Sequence, residues 1–131
     1  MKFDFIDQVL EQADDRIVTI KQINPDDDYL RDHFPTFPIM PGVLMLEAMV
    51  QAASKLCSRD GQRLVLGDVK AVKYGSMVKP NEQLKVEITI VKANKDGSFT
   101  CKGSGTVLKN NTQALDTAVA GRLTIRPVRM S

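Results

Sequence analysis

The chain has no tryptophan, one histidine, two cysteines and only 5% aromatic residues among its 131. Each scarcity removes a class of function. Single-stranded nucleic acid is held largely by bases stacking on aromatic side chains, so a chain this poor in rings argues against that partner. One histidine and two scattered cysteines match no ligand spacing, which predicts no metal site. Cys57 and Cys101 read instead as reduced, buried thiols, because free cysteine packs as a small hydrophobe. No run approaches the roughly 20 apolar residues that a membrane span needs. The opening MKFDFIDQVLEQADD turns acidic too soon for a secretory signal. The expectation is a cytoplasmic protein without membrane or nucleic-acid partners.

What is present suits one domain over residues 1–131: 43% of the chain is hydrophobic, enough for a core. Net charge is +2, but residues 1–66 carry −4 and residues 67–131 carry +6. A basic second half suits an acidic partner or, more plainly, a solvated sheet face. Residues 5–23 read as a hairpin with its turn at Asp14-Asp15. Alternating apolar residues predict strands over Leu64–Lys73, Leu84–Ile90, Phe99–Leu108 and Leu115–Ile125, with turns at 94–97 and 110–111. Between the hairpin and these strands, Gly42 to Leu56 reads as a helix with apolar residues on nearly every side, the pattern of a buried helix. One buried helix and a meander of antiparallel strands predict an α+β fold with the sheet curled around the helix. A single sheet leaves one flank of the helix uncovered, which predicts a dimer.

The chemistry gathers in the run from His33 to Glu47, HFPTFPIMPGVLMLE. Prolines at 35, 38 and 41 stiffen the loop, and Pro41 is well placed as the first helical residue. His33, with an ordinary pKa near 6.5, suits a neutral base. Glu47 lies in an apolar stretch of the helix, and burial there would raise its pKa and make it a proton donor. Gln51, one turn on, can hydrogen-bond it. Gly42 exposes helix-start N–H groups that can hold an oxyanion. Plainer roles stay open at this point: a histidine satisfied by backbone, a glutamate paired with an arginine, a simple helix-start glycine.

The run HFPTFPIMPGVLMLEAMVQ resembles the signature HFPG-x-P-x-x-PG-x-L-x-x-EAMAQ of the bacterial 3-hydroxyacyl-acyl carrier protein dehydratases. RIVTIKQI and KPNEQLKVEITIVK extend the resemblance along the chain. The resemblance implies a hotdog fold, dimers often assembled as trimers of dimers, and a site shared by two protomers. It implies a hydro-lyase that converts a (3R)-3-hydroxyacyl thioester to a trans-2-enoyl thioester in fatty-acid biosynthesis. His33 would be the base, Glu47 the acid, Gly42 the oxyanion donor, Ile39 the carbonyl that orients His33, and Gln51 the partner of Glu47. No cofactor is implied beyond the phosphopantetheine of the acyl carrier protein, whose acidic surface would dock on Lys70, Lys73 and Lys79. A non-catalytic acyl-binding subunit and an acyl thioesterase are the alternatives on the same fold. Thr36, Asp32 and the Tyr74-Gly75-Ser76-Met77 stretch depart from the family's usual residues, and its early His-Arg-Tyr-Pro segment has no counterpart.

Overall fold

The computed structural model describes residues 5–23, 42–58, 64–79, 81–109 and 112–127. Two short strands come first, β1 (Gln8–Gln12) and β2 (Arg16–Gln22), paired antiparallel around Asp14 and Asp15, as the hairpin pattern predicts. Helix α1 runs over Gly42–Cys57. Four long strands follow: β3 (Leu64–Tyr74), β4 (Glu82–Ala93), β5 (Phe99–Lys109) and β6 (Thr112–Pro127).

All six strands form one antiparallel sheet in the order β1-β2-β4-β5-β6-β3. The expected meander holds for β4, β5 and β6, but β3 lies at the far edge, beside β6. The chain therefore crosses the whole sheet after the hairpin and crosses back between β3 and β4. On the return, Gly75 and Ser76 still donate to β6, at Ala118 and Thr117. Asn81 donates to Ile23, at the other side of the sheet. Sequential strands are usually neighbours; here the helix lies between them and delivers the chain to the opposite edge.

Alternation dictates which face of the sheet meets the helix. Leu84, Val86 and Ile88 of β4 are fully buried, as are Cys101 and Val107 of β5 and Val119, Leu123 and Ile125 of β6. Against them α1 sets Met45, Ala48, Met49, Ala52, Ala53, Leu56 and Cys57, all buried at helical spacing. Bulges interrupt the register in β1, β3 and β4; they bend strands, so the sheet curls until the helix touches β2 through β6. Gly103 of β5 allows the close approach. A Cβ there would lie 2.8 Å from Ile88 Cδ1 and 3.1 Å from Met49 Sδ. A curved antiparallel sheet holding one long helix on its concave side is the hotdog fold.

Burial in the fold also joins the two cysteines, whose sulfurs lie 3.8 Å apart, Cys57 on the helix and Cys101 on β5. They are free thiols in contact. That contact, and then burial, hold the Cys101 thiol well above its ordinary pKa.

Candidate active site

Glu47 sits on the side of α1 that the sheet does not cover. At 100° per residue it lies opposite the buried stripe centred on Met45, Met49, Ala52 and Leu56. Within one chain it is exposed, whereas its apolar sequence neighbours suggest burial. The sheet covers one face of the helix only, so among the described residues nothing supplies the desolvation that the sequence suggests. Leu44, Leu46 and Val50, which flank the acid, are half-buried and pack at the edge of the core.

Gln51 meets Glu47 as the one-turn spacing predicts. Its Nε2 donates to Glu47 Oε1 at 3.4 Å. The other end of the same amide is occupied, since the backbone N–H of Phe5 donates to Gln51 Oε1 at 2.8 Å. Phe5 is itself buried in the core. The segment before β1 therefore sets which way the amide faces: oxygen towards Phe5, nitrogen towards the acid. Nothing near Gln51 in the sequence signals this contact, which spans 46 positions.

Gly42 opens the helix, where N–H groups lack intrahelical acceptors and carry partial positive charge. Tyr74, the last residue of β3, packs on it. A Cβ on Gly42 would stand 3.0 Å from Tyr74 Cε1 and 3.2 Å from Cδ1. Glycine is what lets the ring close on the helix start. Gly42 lies five residues before Glu47 on the same helix, about 7.5 Å along the axis. His33 and Ile39 lie outside the described residues, as do the proline loop, Asp32, Thr36 and the 110–111 turn. Among the described residues no three of His, Cys, Asp or Glu gather as a metal site, and no helix is long and apolar enough to cross a membrane.

The basic second half concentrates on the convex side of the sheet. Lys70, Arg122 and Lys102 stand in register on β3, β6 and β5, and the row continues through Thr89 to Arg16 on β4 and β2. Arg16 is held by Glu87 and Glu11, whose hydrogen bonds raise its pKa, while Lys70 lies 3.8 Å from Asp68. Lys73, Lys102 and Arg122 line a shallow groove of about 500 Å³ floored by Ala71, Ser104 and Ala120. Lys79 lies apart from it, beside Ser76, Met77 and Glu82. The sequence names Lys70 and Lys73 as basic residues of interest, but not Lys102 and Arg122, which pairing alone brings beside them.

Comparison with known proteins agrees with this arrangement. A family model described as the FabA-like domain matches residues 1–118. A 3-hydroxyacyl-[acyl-carrier-protein] dehydratase FabZ of Lactococcus lactis subsp. cremoris is 33% identical over 117 residues, covering 78% of this chain and 81% of the relative. Two solved structures share the fold at low identity. One is a Streptococcus mutans protein, smu.793, bound to acetyl CoA: TM-score 0.72, 12% identity, 98% of this chain and 92% of that one. The other comes from the dehydratase heterocomplex ApeI:P of Xenorhabdus doucetiae: TM-score 0.67, 20% identity, 92% and 96%. With a helix-borne acid, its amide partner and a helix-start glycine in place on a hotdog scaffold, the chain belongs to the FabA-like family of 3-hydroxyacyl-acyl carrier protein dehydratases.

Proposed function

We propose that this chain, as one hotdog domain, removes water from (3R)-3-hydroxyacyl thioesters borne on acyl carrier protein, with Glu47 as acid, His33 as base and Gly42 as oxyanion donor. The family match over residues 1–118, together with Glu47 hydrogen-bonded by Gln51 on the side of α1 that the sheet leaves open, carries the reading.

In the proposed reaction His33 takes the proton from the carbon beside the thioester carbonyl. The Gly42 N–H stabilises the enolate-like charge that develops on oxygen. Protonated Glu47 gives its proton to the departing hydroxyl, which leaves as water. The double bond forms, and the proton on His33 returns to Glu47 directly or through solvent. Ile39 is proposed to orient the His33 ring through its carbonyl, and Gln51 to hold the Glu47 carboxyl. These steps are proton transfers and, as written, need no metal or redox cofactor.

The assembly proposed is a cytoplasmic homodimer, open to further association as a trimer of dimers. His33 of one protomer would face Glu47 of the other. The exposed flank around Glu47 and the edge of β3, unpaired among the described residues, support this, since both offer surface to a second copy. The acyl carrier is proposed to dock on the convex cation row. Like charges opposite one another on neighbouring strands cost stability, and an acidic surface offsets that cost. Fatty-acid biosynthesis is the proposed setting.

The test gives the purified protein a 3-hydroxyacyl thioester and follows enoyl absorbance and free thiol together. Enoyl product without thiol is expected; thiol release, or neither product, would overturn the reading. His33→Ala and Glu47→Gln are each expected to lower turnover at least ~100-fold, the usual worth of a positioned acid or base, with the circular dichroism of the wild type.

A further inference from the structure

Tyr74 packs on the helix start and takes no part in the proposed reaction. Its ring fills the space that a side chain at position 42 would take, with Cε1, Cδ1 and Cζ at 3.0, 3.2 and 3.4 Å from an ideal Cβ. Yet 53% of the residue remains exposed. Aromatic rings dominate core burial in most domains; this one rests on a glycine at a helix start and leaves the rest of its surface open. The strand could turn away here, since Tyr74 ends β3 and Gly75 and Ser76 follow β6 by backbone bonds alone. Three residues on, Met77 is 49% exposed, so apolar surface continues along this exit.

We propose that Tyr74 is a substrate-binding residue of the dehydratase site: its ring is the apolar wall against which the thioester sulfur and its adjoining methylene lie. This rests on the assignment of Gly42 as the oxyanion donor. An oxygen within about 2.9 Å of the Gly42 N–H brings the attached thioester alongside a ring in contact with that same residue. Sulfur beside an aromatic ring is a favourable contact. The ring, not the hydroxyl, makes this contact, so the phenol oxygen is dispensable.

Two measurements test it. With the N-acetylcysteamine thioester of a 3-hydroxy acid, Tyr74→Ala should raise KM roughly fivefold to tenfold, the scale of one aromatic contact, with kcat changed less than about twofold. Tyr74→Phe should match the wild type. The second measurement needs no cavity-forming variant. The chain has no tryptophan and two tyrosines, so Tyr29→Phe leaves Tyr74 as its single fluorophore. Titration with a saturated, unreactive acyl-N-acetylcysteamine thioester should change its emission, with a midpoint equal to the inhibition constant of that compound. Unchanged KM in Tyr74→Ala, or emission that ignores the thioester, would overturn the proposal even in an active dehydratase. Emission that responds in a protein without dehydratase turnover would uphold the wall and overturn the reaction.

Discussion

Gln51→Leu and Gln51→Glu should destabilise the protein by similar amounts at neutral pH and by different amounts in acid. The amide performs two jobs. Its oxygen accepts the Phe5 N–H at 2.8 Å and its nitrogen donates to Glu47 at 3.4 Å. Leucine ends both; the Phe5 bond is worth about 1 kcal/mol net, and the longer bond adds little. Glutamate keeps an acceptor for Phe5 but sets a second carboxylate beside Glu47. Two unit charges 4 Å apart repel by about 1 kcal/mol in water and about 4 kcal/mol at an effective dielectric of 20. Within one chain Glu47 is exposed, so for the monomer the lower figure applies, and there both variants should lose about 1 kcal/mol at pH 7.

Acid separates them. In folded Gln51→Glu the pair binds a proton more tightly than isolated carboxylates do in the unfolded chain, so stability rises as pH falls through the carboxylate range. Near pH 4 the repulsion is largely gone, and the Gln51→Glu penalty with it, while that of Gln51→Leu persists. Urea unfolding of wild type and variants at pH 7 and pH 4, at one protein concentration low enough to keep the chain monomeric, reads this directly. A Gln51→Glu penalty equal at both pH values, or a Gln51→Leu variant as stable as the wild type, would refute the assigned orientation. Both variants also lose the donor to Glu47, so kcat should fall about fivefold for a lost 1 kcal/mol.

Gly103→Ala should cost about 1–3 kcal/mol by overpacking. Ile88→Val removes the nearest obstructing atom, so a double-mutant cycle by urea unfolding should show favourable coupling of at least ~0.5 kcal/mol. The raised pKa of Cys101 gives stability that is whole below the ordinary thiol value of 9.0 and falls as pH rises above it. The loss approaches 1.4 kcal/mol per pH unit, and Cys101→Ala should flatten thermal or urea stability between pH 8 and 10.5. Lys102→Glu combined with Arg122→Glu should raise KM for a carrier-bound substrate at least ~10-fold and weaken its salt dependence. The same variant should leave KM for an N-acetylcysteamine thioester unchanged.

Much of this architecture is legible from period alone. The alternation of Leu84, Val86, Ile88 and Ile90 with polar neighbours can bury one face only, and it does. Asp14-Asp15 and the Asp-Gly turn before Phe99 punctuate hairpins whose strands pair as neighbours. What period cannot carry is distance across the chain. The place of β3 beside β6 depends on where the helix delivers the chain. Tyr74 on Gly42 and the row of Lys70, Arg122 and Lys102 follow from that placement, and the Cys57–Cys101 contact and Phe5 on Gln51 from the helix lying across the sheet. Each joins residues whose own neighbourhoods say nothing about one another. Tyr74 left a faint trace as a departure from the family's usual residues, but its partner did not.

Glu47 is the instructive disagreement. A helix apolar on every side implies cover on every side, yet the sheet supplies half of it. Leu44, Leu46 and Val50 are left half-buried around an exposed acid. Completing the burial of three such side chains gains about 1 kcal/mol each. A micromolar dimer needs about 8 kcal/mol beyond the entropy of association, so the helix flank alone is too small to hold two copies together. The remainder has to come from surface elsewhere, and the open edge of β3 is the natural source, since backbone pairing there would lay two sheets end to end. The proposed site and the proposed strand pairing therefore stand or fall together. A variant of the β3 edge that sediments as a monomer with the circular dichroism of the wild type should also strip Glu47 of its cover and turnover of its acid.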